Sequence, residues 1–233
     1  MRKAAMILAT GLLLLPFAAP AASAAEFQFS LAFSPSVPWG EFHDVLGRTV
    51  WGGTLLFAYR PSGSLILIGT SLGFGAYDTD RWEAWLELTD PDVLVDVRTA
   101  NAVVAWNLFL RLQPERGFVR PYLDFFAGMH ILTTTTTVGE GDSDDEYDGD
   151  FDVTNSSDTA FAFGAGAGVQ LPILRFINQE GRRAFSIDLD LGARYAKGGR
   201  AYYLVESGGQ GIFDSRTSRT DLLTLSAGLS FIF

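Results

Sequence analysis

Cysteine is absent from the 233 residues, so no disulfide braces the fold and no thiolate can act as nucleophile or metal ligand. Lysine is nearly absent, with Lys3 and Lys197 the only two. A soluble β-protein normally puts Lys and Glu on its solvated faces and edges, so this chain's outer surface is expected not to meet water. Charged residues make up only 19%, against about 25% in ordinary soluble domains. Positive charge is short: the net charge is −10, and a nucleic-acid partner, which needs a basic footprint, is excluded. Beyond the N-terminus there is no apolar run of ~18 residues, so no helix spans a membrane. Histidine is limited to His43 and His130, which leaves little material for acid–base catalysis.

The N-terminus has the pattern of an export signal. Arg2 and Lys3 precede an uncharged stretch from Ala4 to Ala22, and Ala22-Ser23-Ala24 fits a small-x-small cleavage site. Residues 1–24 are therefore expected to be removed, leaving Ala25 as the first mature residue. Pro16, Pro20 and the alanine-rich exit argue against a membrane helix here, and no cysteine follows that could carry a lipid. The mature part, 25–233, suits one all-β domain and holds 15 basic against 27 acidic residues.

What the chain does have is apolar side chains, 48% of the total with 19 Phe, arranged with period two. Phe27, Phe29, Leu31 and Phe33 alternate with Gln28, Ser30, Ala32 and Ser34. Leu123, Phe125, Ala127, Met129 and Ile131 alternate with Asp124, Phe126, Gly128 and His130. The pattern repeats over eight segments, the last setting Leu223, Leu225, Ala227, Leu229, Phe231 and Phe233 against Thr224, Ser226, Gly228 and Ser230. In the fourth segment Val93, Val95 and Val97 are out of phase with Val104, Trp106, Leu108 and Leu110, which predicts a bulge between Thr99 and Ala102. Short connections at Pro61–Ser64, Gln113–Val119 and Phe176–Arg183 alternate with long polar ones at Pro35–Gly47, Thr79–Asp92, Gly139–Asp158 and Gly198–Arg219. Eight strands of about ten residues with short turns at one end and long loops at the other describe an antiparallel up-and-down transmembrane β-barrel, whose termini share the short-turn side.

Alternation alone does not say which face is out; chemistry does. The polar faces are mostly Gly, Ala, Ser and Thr, suited to the narrow filled interior of a small barrel. Asp124, Asp188, Asp190 and Arg194 can pair there. The Phe, Leu, Ile and Val faces suit lipid, with Tyr59, Trp106, Tyr195 and Phe231 as candidates for aromatic girdles and Trp82 and Trp85 as interfacial anchors.

Arg120-Pro121-Tyr122 opening a strand, Phe163-Gly164-Ala165-Gly166-Ala167-Gly168, and the run Ile187 to Tyr195 resemble the later strands of the small outer-membrane β-barrels of the OmpA-transmembrane-domain and OmpX type. The ending Leu229-Ser230-Phe231-Ile232-Phe233 resembles that family's C-terminal assembly signal. The resemblance implies the outer membrane as location, lipid bilayer and lipopolysaccharide as surroundings, and insertion by the barrel-assembly machinery through Phe233. Nothing follows the last strand, so the peptidoglycan-binding domain of some relatives is not expected. It implies no single activity.

Catalysis is not expected. Enzymes of this barrel class use a His with Ser and an acid, but His130-Ile131-Leu132 offers no Ser two residues on. Asp78-Thr79-Asp80 resembles the acidic pair of outer-membrane proteases, yet the Asp–His pair they also need is not seen. His130 is read as a satisfied interior residue. In the acidic run, Asp144, Glu146, Asp148 and Asp150 are weak candidates for Ca²⁺ or Mg²⁺, which prefer oxygen ligands, and a divalent ion there could bridge to lipopolysaccharide phosphates. The twelfth EF-hand position would be Asn155, not Glu, so a solvated acidic loop is the simpler reading. No cofactor is implied. The expected role is structural or interactive at the envelope surface, with a narrow channel for small or apolar solutes as the alternative and a lipid-modifying enzyme behind it.

Overall fold

The computed structural model describes residues 25–85, 94–140, 151–177, 183–206 and 213–233, with side chains described outside 78–99, 136–156, 178–184 and 203–215. The proposed signal segment, the acidic candidates Asp144, Glu146, Asp148 and Asp150, and the side chains of Trp82 and Trp85 lie outside the described residues. The elements are β1 (Glu26–Phe33), β2 (Ser36–Pro38), α1 (Glu41–Leu46), β3 (Trp51–Arg60), β4 (Ile66–Trp85), β5 (Leu94–Leu112), β6 (Arg120–Glu140), β7 (Phe151–Ile177), β8 (Arg183–Gly198), β9 (Arg200–Glu206), β10 (Phe213–Arg219) and β11 (Leu222–Ile232).

Eight of these strands close on themselves in the order β1-β3-β4-β5-β6-β7-β8-β11, and β11 returns to β1 with Phe29 opposite Phe231 and Leu31 opposite Leu229. Every neighbour is antiparallel. Closure removes the sheet edges and pairs backbone groups that lipid could not satisfy. The expected alternation sets the facing. Gln28, Ser30, Asp124, His130, Gln170, Asp188 and Ser230 are buried, while Phe33, Phe57, Phe74, Leu108, Phe125, Phe161 and Leu225 are exposed. Exposed large apolar side chains on the outside and buried charges within invert the arrangement of a water-soluble barrel. This exterior is the lipid-facing band of a membrane barrel. Both chain ends of the described barrel lie beside the short turns, where Phe27 and Phe233 exchange backbone hydrogen bonds.

Aromatic rings gather near that end. Phe27 stands 5.3 Å from Tyr59, and Phe185 lies 5.0 Å from Phe233 and 5.7 Å from Phe176. Tyr59 and Phe231 belong to this belt, as expected. Trp106 instead pairs with Leu72 and Met129 well inside β5.

Three details bear on the sequence reading. The bulge is not on β5: its pairing with β6 runs unbroken, and the shift is on β4, where Tyr77 is passed over between Ala76 and Asp78. Second, the long connections contain much strand. β4 runs on to Trp85, β7 begins at Phe151, the first connection holds β2 and α1, and the last folds into the β9–β10 hairpin. A ribbon standing beyond the lipid needs no apolar face, so its polar sequence reads as loop. Third, the Thr133–Thr137 run does extend β6 beyond the apolar band, pairing with Ala102–Arg98 of β5, as its β-branched residues suggest.

Candidate functional site: the barrel lumen

The lumen is built in layers. Nearest the short turns lies a network of charges. Arg111 donates from Nε to Asp124 Oδ1 at 2.7 Å and from Nη2 to Asp124 Oδ2 at 3.0 Å. Arg194 reaches the same Oδ2 from the other side at 2.6 Å. Arg111 Nη1 also approaches Asp190 Oδ2 at 3.3 Å, and its guanidinium stacks 3.6 Å above the Tyr122 ring. Tyr122 donates to Asp190 Oδ1 at 2.6 Å, and Ser230 of β11 donates to Oδ2 at 3.2 Å. Arg120 binds Asp188. Gln170 ties the set together, donating to Asp190 at 2.7 Å and accepting from Gln113 at 2.9 Å. Arg60 donates to Gln113 at 3.0 Å and lies 3.6 Å from Glu26.

Four guanidinium groups (Arg60, Arg111, Arg120 and Arg194) thus meet four carboxylates (Glu26, Asp124, Asp188 and Asp190), so the cluster is formally neutral. Each arginine has a carboxylate within 4 Å. This pairing of opposite charges is what permits them to be buried. Seven of the eight barrel strands contribute, so the network joins opposite walls across the lumen.

Local sequence makes room for it. A Cβ on Gly168 or Gly192 would overlap the Tyr122 ring or hydroxyl, and one on Gly166 would overlap Arg194. The alternating glycines of β7 and β8 are therefore the recess into which Tyr122 and Arg194 fit.

Next comes an apolar band of Leu56, Ala58, Leu67, Phe109, Phe126 and Ala196. At the loop end, α1 folds over the mouth and buries Phe42 completely against Val50, Tyr77, Val103, Leu132 and Leu222. Gly47 closes the helix in the left-handed conformation, φ 61°, with its N–H on the His43 carbonyl, a conformation glycine adopts without a Cβ penalty. Trp39 N–H to the Asp221 carbonyl at 2.9 Å anchors the preceding segment to β11's approach.

Of the residues singled out in the sequence, Asp124 and Arg194 do pair, while Asp188 and Asp190 find Arg120 and Arg111 instead. Glu26, Arg60, Arg111, Arg120 and Gln113 were missed. The signal was there for Arg60 and Arg111, which share parity with inward Ala58 and Phe109. Ends of strands are where such parity is hardest to extend.

His130 is buried and faces inward, 2% exposed. Its Nδ1 has no hydrogen-bond partner, so it is not the satisfied interior residue expected. No serine or carboxylate bonds to it among the described residues. His43 stands on the exposed side of α1 with Nδ1 3.8 Å from Asp44 Oδ1. An Asp–His neighbour pair therefore exists, contrary to expectation, but on an open surface and too far apart for a hydrogen bond. The Asp78 and Asp80 side chains lie outside the described residues.

A closed antiparallel barrel, an apolar exterior and a neutralised interior now stand together. The chain is built as a small transmembrane β-barrel. No family model matches it, and no curated protein does. Among solved structures, Neisserial surface protein A is 15% identical with 88% of this chain and 95% of that one covered, at a TM-score of 0.39. A major outer membrane protein from Thermus thermophilus is 13% identical, covering 90% and 100%, at 0.41. Ail, the attachment invasion locus protein of Yersinia pestis, is 15% identical, covering 90% and 97%, at 0.36. Superpositions this loose carry no functional argument, and the barrel rests on its own hydrogen-bond register.

Proposed function

We propose that this barrel is a non-enzymatic outer-membrane anchor that acts through what it presents outside the cell, and not a conduit. The observation that carries this reading is the state of the lumen: a charge-balanced network fills the periplasmic end and the Phe42 cluster occupies the outer mouth. Charge distribution supports it. Segments 34–50, 78–99, 136–158 and 197–221, the long connections with their flanks, hold 21 of the 27 acidic residues against 7 basic ones. The outward end is thus strongly anionic while the lumen is neutral. An acidic crown favours cationic partners by long-range attraction, and approaches lipopolysaccharide phosphates only with divalent cations between them. Asp144, Glu146, Asp148 and Asp150 are the residues proposed to hold such ions, and calorimetry that finds no Ca²⁺ or Mg²⁺ binding at millimolar levels removes them from that role. Assembly through Phe233 by the barrel-assembly machinery, and removal of residues 1–24, complete the proposal; N-terminal sequencing of protein from outer membranes should begin at Ala25.

Planar-bilayer recording tests the main reading. Silent bilayers containing heat-modifiable, folded protein are expected. Discrete, reproducible conductance steps would favour the narrow-channel alternative. The enzyme alternative predicts altered envelope lipids that depend on His130, and unchanged lipid profiles in a His130→Ala strain count against it.

A further inference from the structure

Between the charge network and the Phe42 cluster the lumen leaves a chamber of about 70 Å³. Its lining runs from Phe126 and Arg194 on the network side to Val50, Val103 and Leu222 on the mouth side. The remaining wall mixes Gly, Ala and Phe with polar side chains, among them Ser34, Thr54, Ser71, Asn107 and His130. Three of these side chains carry a buried polar atom without a hydrogen-bond partner: Ser34 Oγ, Asn107 Oδ1 and His130 Nδ1. Each residue is at least nine-tenths buried. Buried polar groups are nearly always paired, so three orphans lining one chamber mark the place of a partner.

The chemistry of the orphans specifies it. His130 Nδ1 has no partner and donates or accepts according to the ring's tautomer. Asn107 Oδ1 accepts, and the Ser34 hydroxyl can donate. Arg194 is already neutralised by Asp124, so the wall offers no uncompensated charge. A cavity needs about 10–15 Å³ of such volume per water, which makes this chamber roughly five water positions in size.

We propose that the chamber is a binding site for one small uncharged solute bearing hydroxyl or amide groups, the size of glycerol or acetamide. The solute donates to Asn107 Oδ1 and pairs with His130 Nδ1 and the Ser34 hydroxyl. Water offers the same donors, so the test separates saturable binding of a solute from hydration alone. The site is independent of the anchoring role proposed above, since it requires neither conduction nor an outside partner.

The full barrel, folded in lipid nanodiscs with ¹⁵N-labelled histidine, is titrated first with glycerol and then, separately, with acetamide. A saturable shift of the His130 Nδ1 resonance is expected with at least one probe. Asn107→Leu should weaken that binding about ten-fold, the loss of one buried hydrogen bond. Ser71→Leu, which fills the chamber, should abolish it; if that variant does not fold, Ser34→Ala serves in its place and should weaken binding. A shift that grows linearly without saturating for both probes, or binding unchanged in Asn107→Leu, overturns the proposal in favour of water alone.

Discussion

Arg111 and Asp124 sit opposite one another on β5 and β6 and clasp in two parallel hydrogen bonds, 2.7 and 3.0 Å long, inside the barrel. The same carboxylate receives Arg194 from β8 at 2.6 Å. Asp124 is therefore the point where three walls meet.

Removing that carboxylate leaves the buried Arg111 and the part-buried Arg194 guanidinium groups without their shared partner. Breaking a buried ion pair by deleting one member costs about 3–5 kcal/mol. Asp124→Ala is expected to unfold at lower urea concentration by that margin. Replacing the pair together, Arg111→Met with Asp124→Leu, should cost less than the single change. Equilibrium unfolding in lipid vesicles checks both.

Tyr122 occupies space that Gly168 and Gly192 leave free. Gly192→Ala should strain the site by about 1–3 kcal/mol, the usual cost of overpacking. Combining it with Tyr122→Ala should recover part of that loss, because the ring that clashes is gone. A double-mutant cycle on unfolding free energies reads the coupling directly.

Phe42 closes the mouth from α1. Phe42→Ala should cost about 3–5 kcal/mol of packing, felt where the helix docks and hardly at all at the charge network. Hydrogen exchange is the measurement: amides around Val50 and Leu222 should lose protection while those of Asp124 and Asp190 keep theirs. Equal loss at both ends would mean that the plug and the network are one cooperative unit.

The sequence made the barrel legible because period two was unbroken wherever lipid demands it. Phe27, Phe29, Leu31 and Phe33 had to share a face, and that constraint is visible without coordinates. It fades where lipid ends. β4 beyond Tyr77 and the β9–β10 hairpin read as loop, since a strand clear of the lipid is under no demand to keep an apolar face in period two. The lumen was half legible. Asp124 and Arg194 stand out against Gly and Ser neighbours, but Arg60, Arg120 and Glu26 sit at strand ends beside turns, where either solvent or lumen is an equally good home for a charge. The Phe42 plug left little trace, because a six-residue helix in a polar connection gives too few turns for a periodic signal.

The facing of the strands also predicts depth-dependent costs. Leu108→Arg, on the exposed outer face, should destabilise the barrel by about 2–4 kcal/mol if it lies near the bilayer midplane. Arginine at Ile66, at the strand's turn end, should cost markedly less. Unfolding titrations of the two variants in the same vesicles compare them.

The absence of cysteine makes the decisive measurement clean. Single cysteines introduced along β5 at 107 through 112, spin-labelled in reconstituted vesicles, report collisions with oxygen dissolved in lipid and with a water-soluble nickel chelate. Labels at Leu108, Leu110 and Leu112 should meet oxygen and escape the chelate, while those at Asn107 and Phe109 should meet little of either. Chelate collisions at the even positions, or oxygen contact confined to the odd ones, would contradict the outward apolar face on which the account stands.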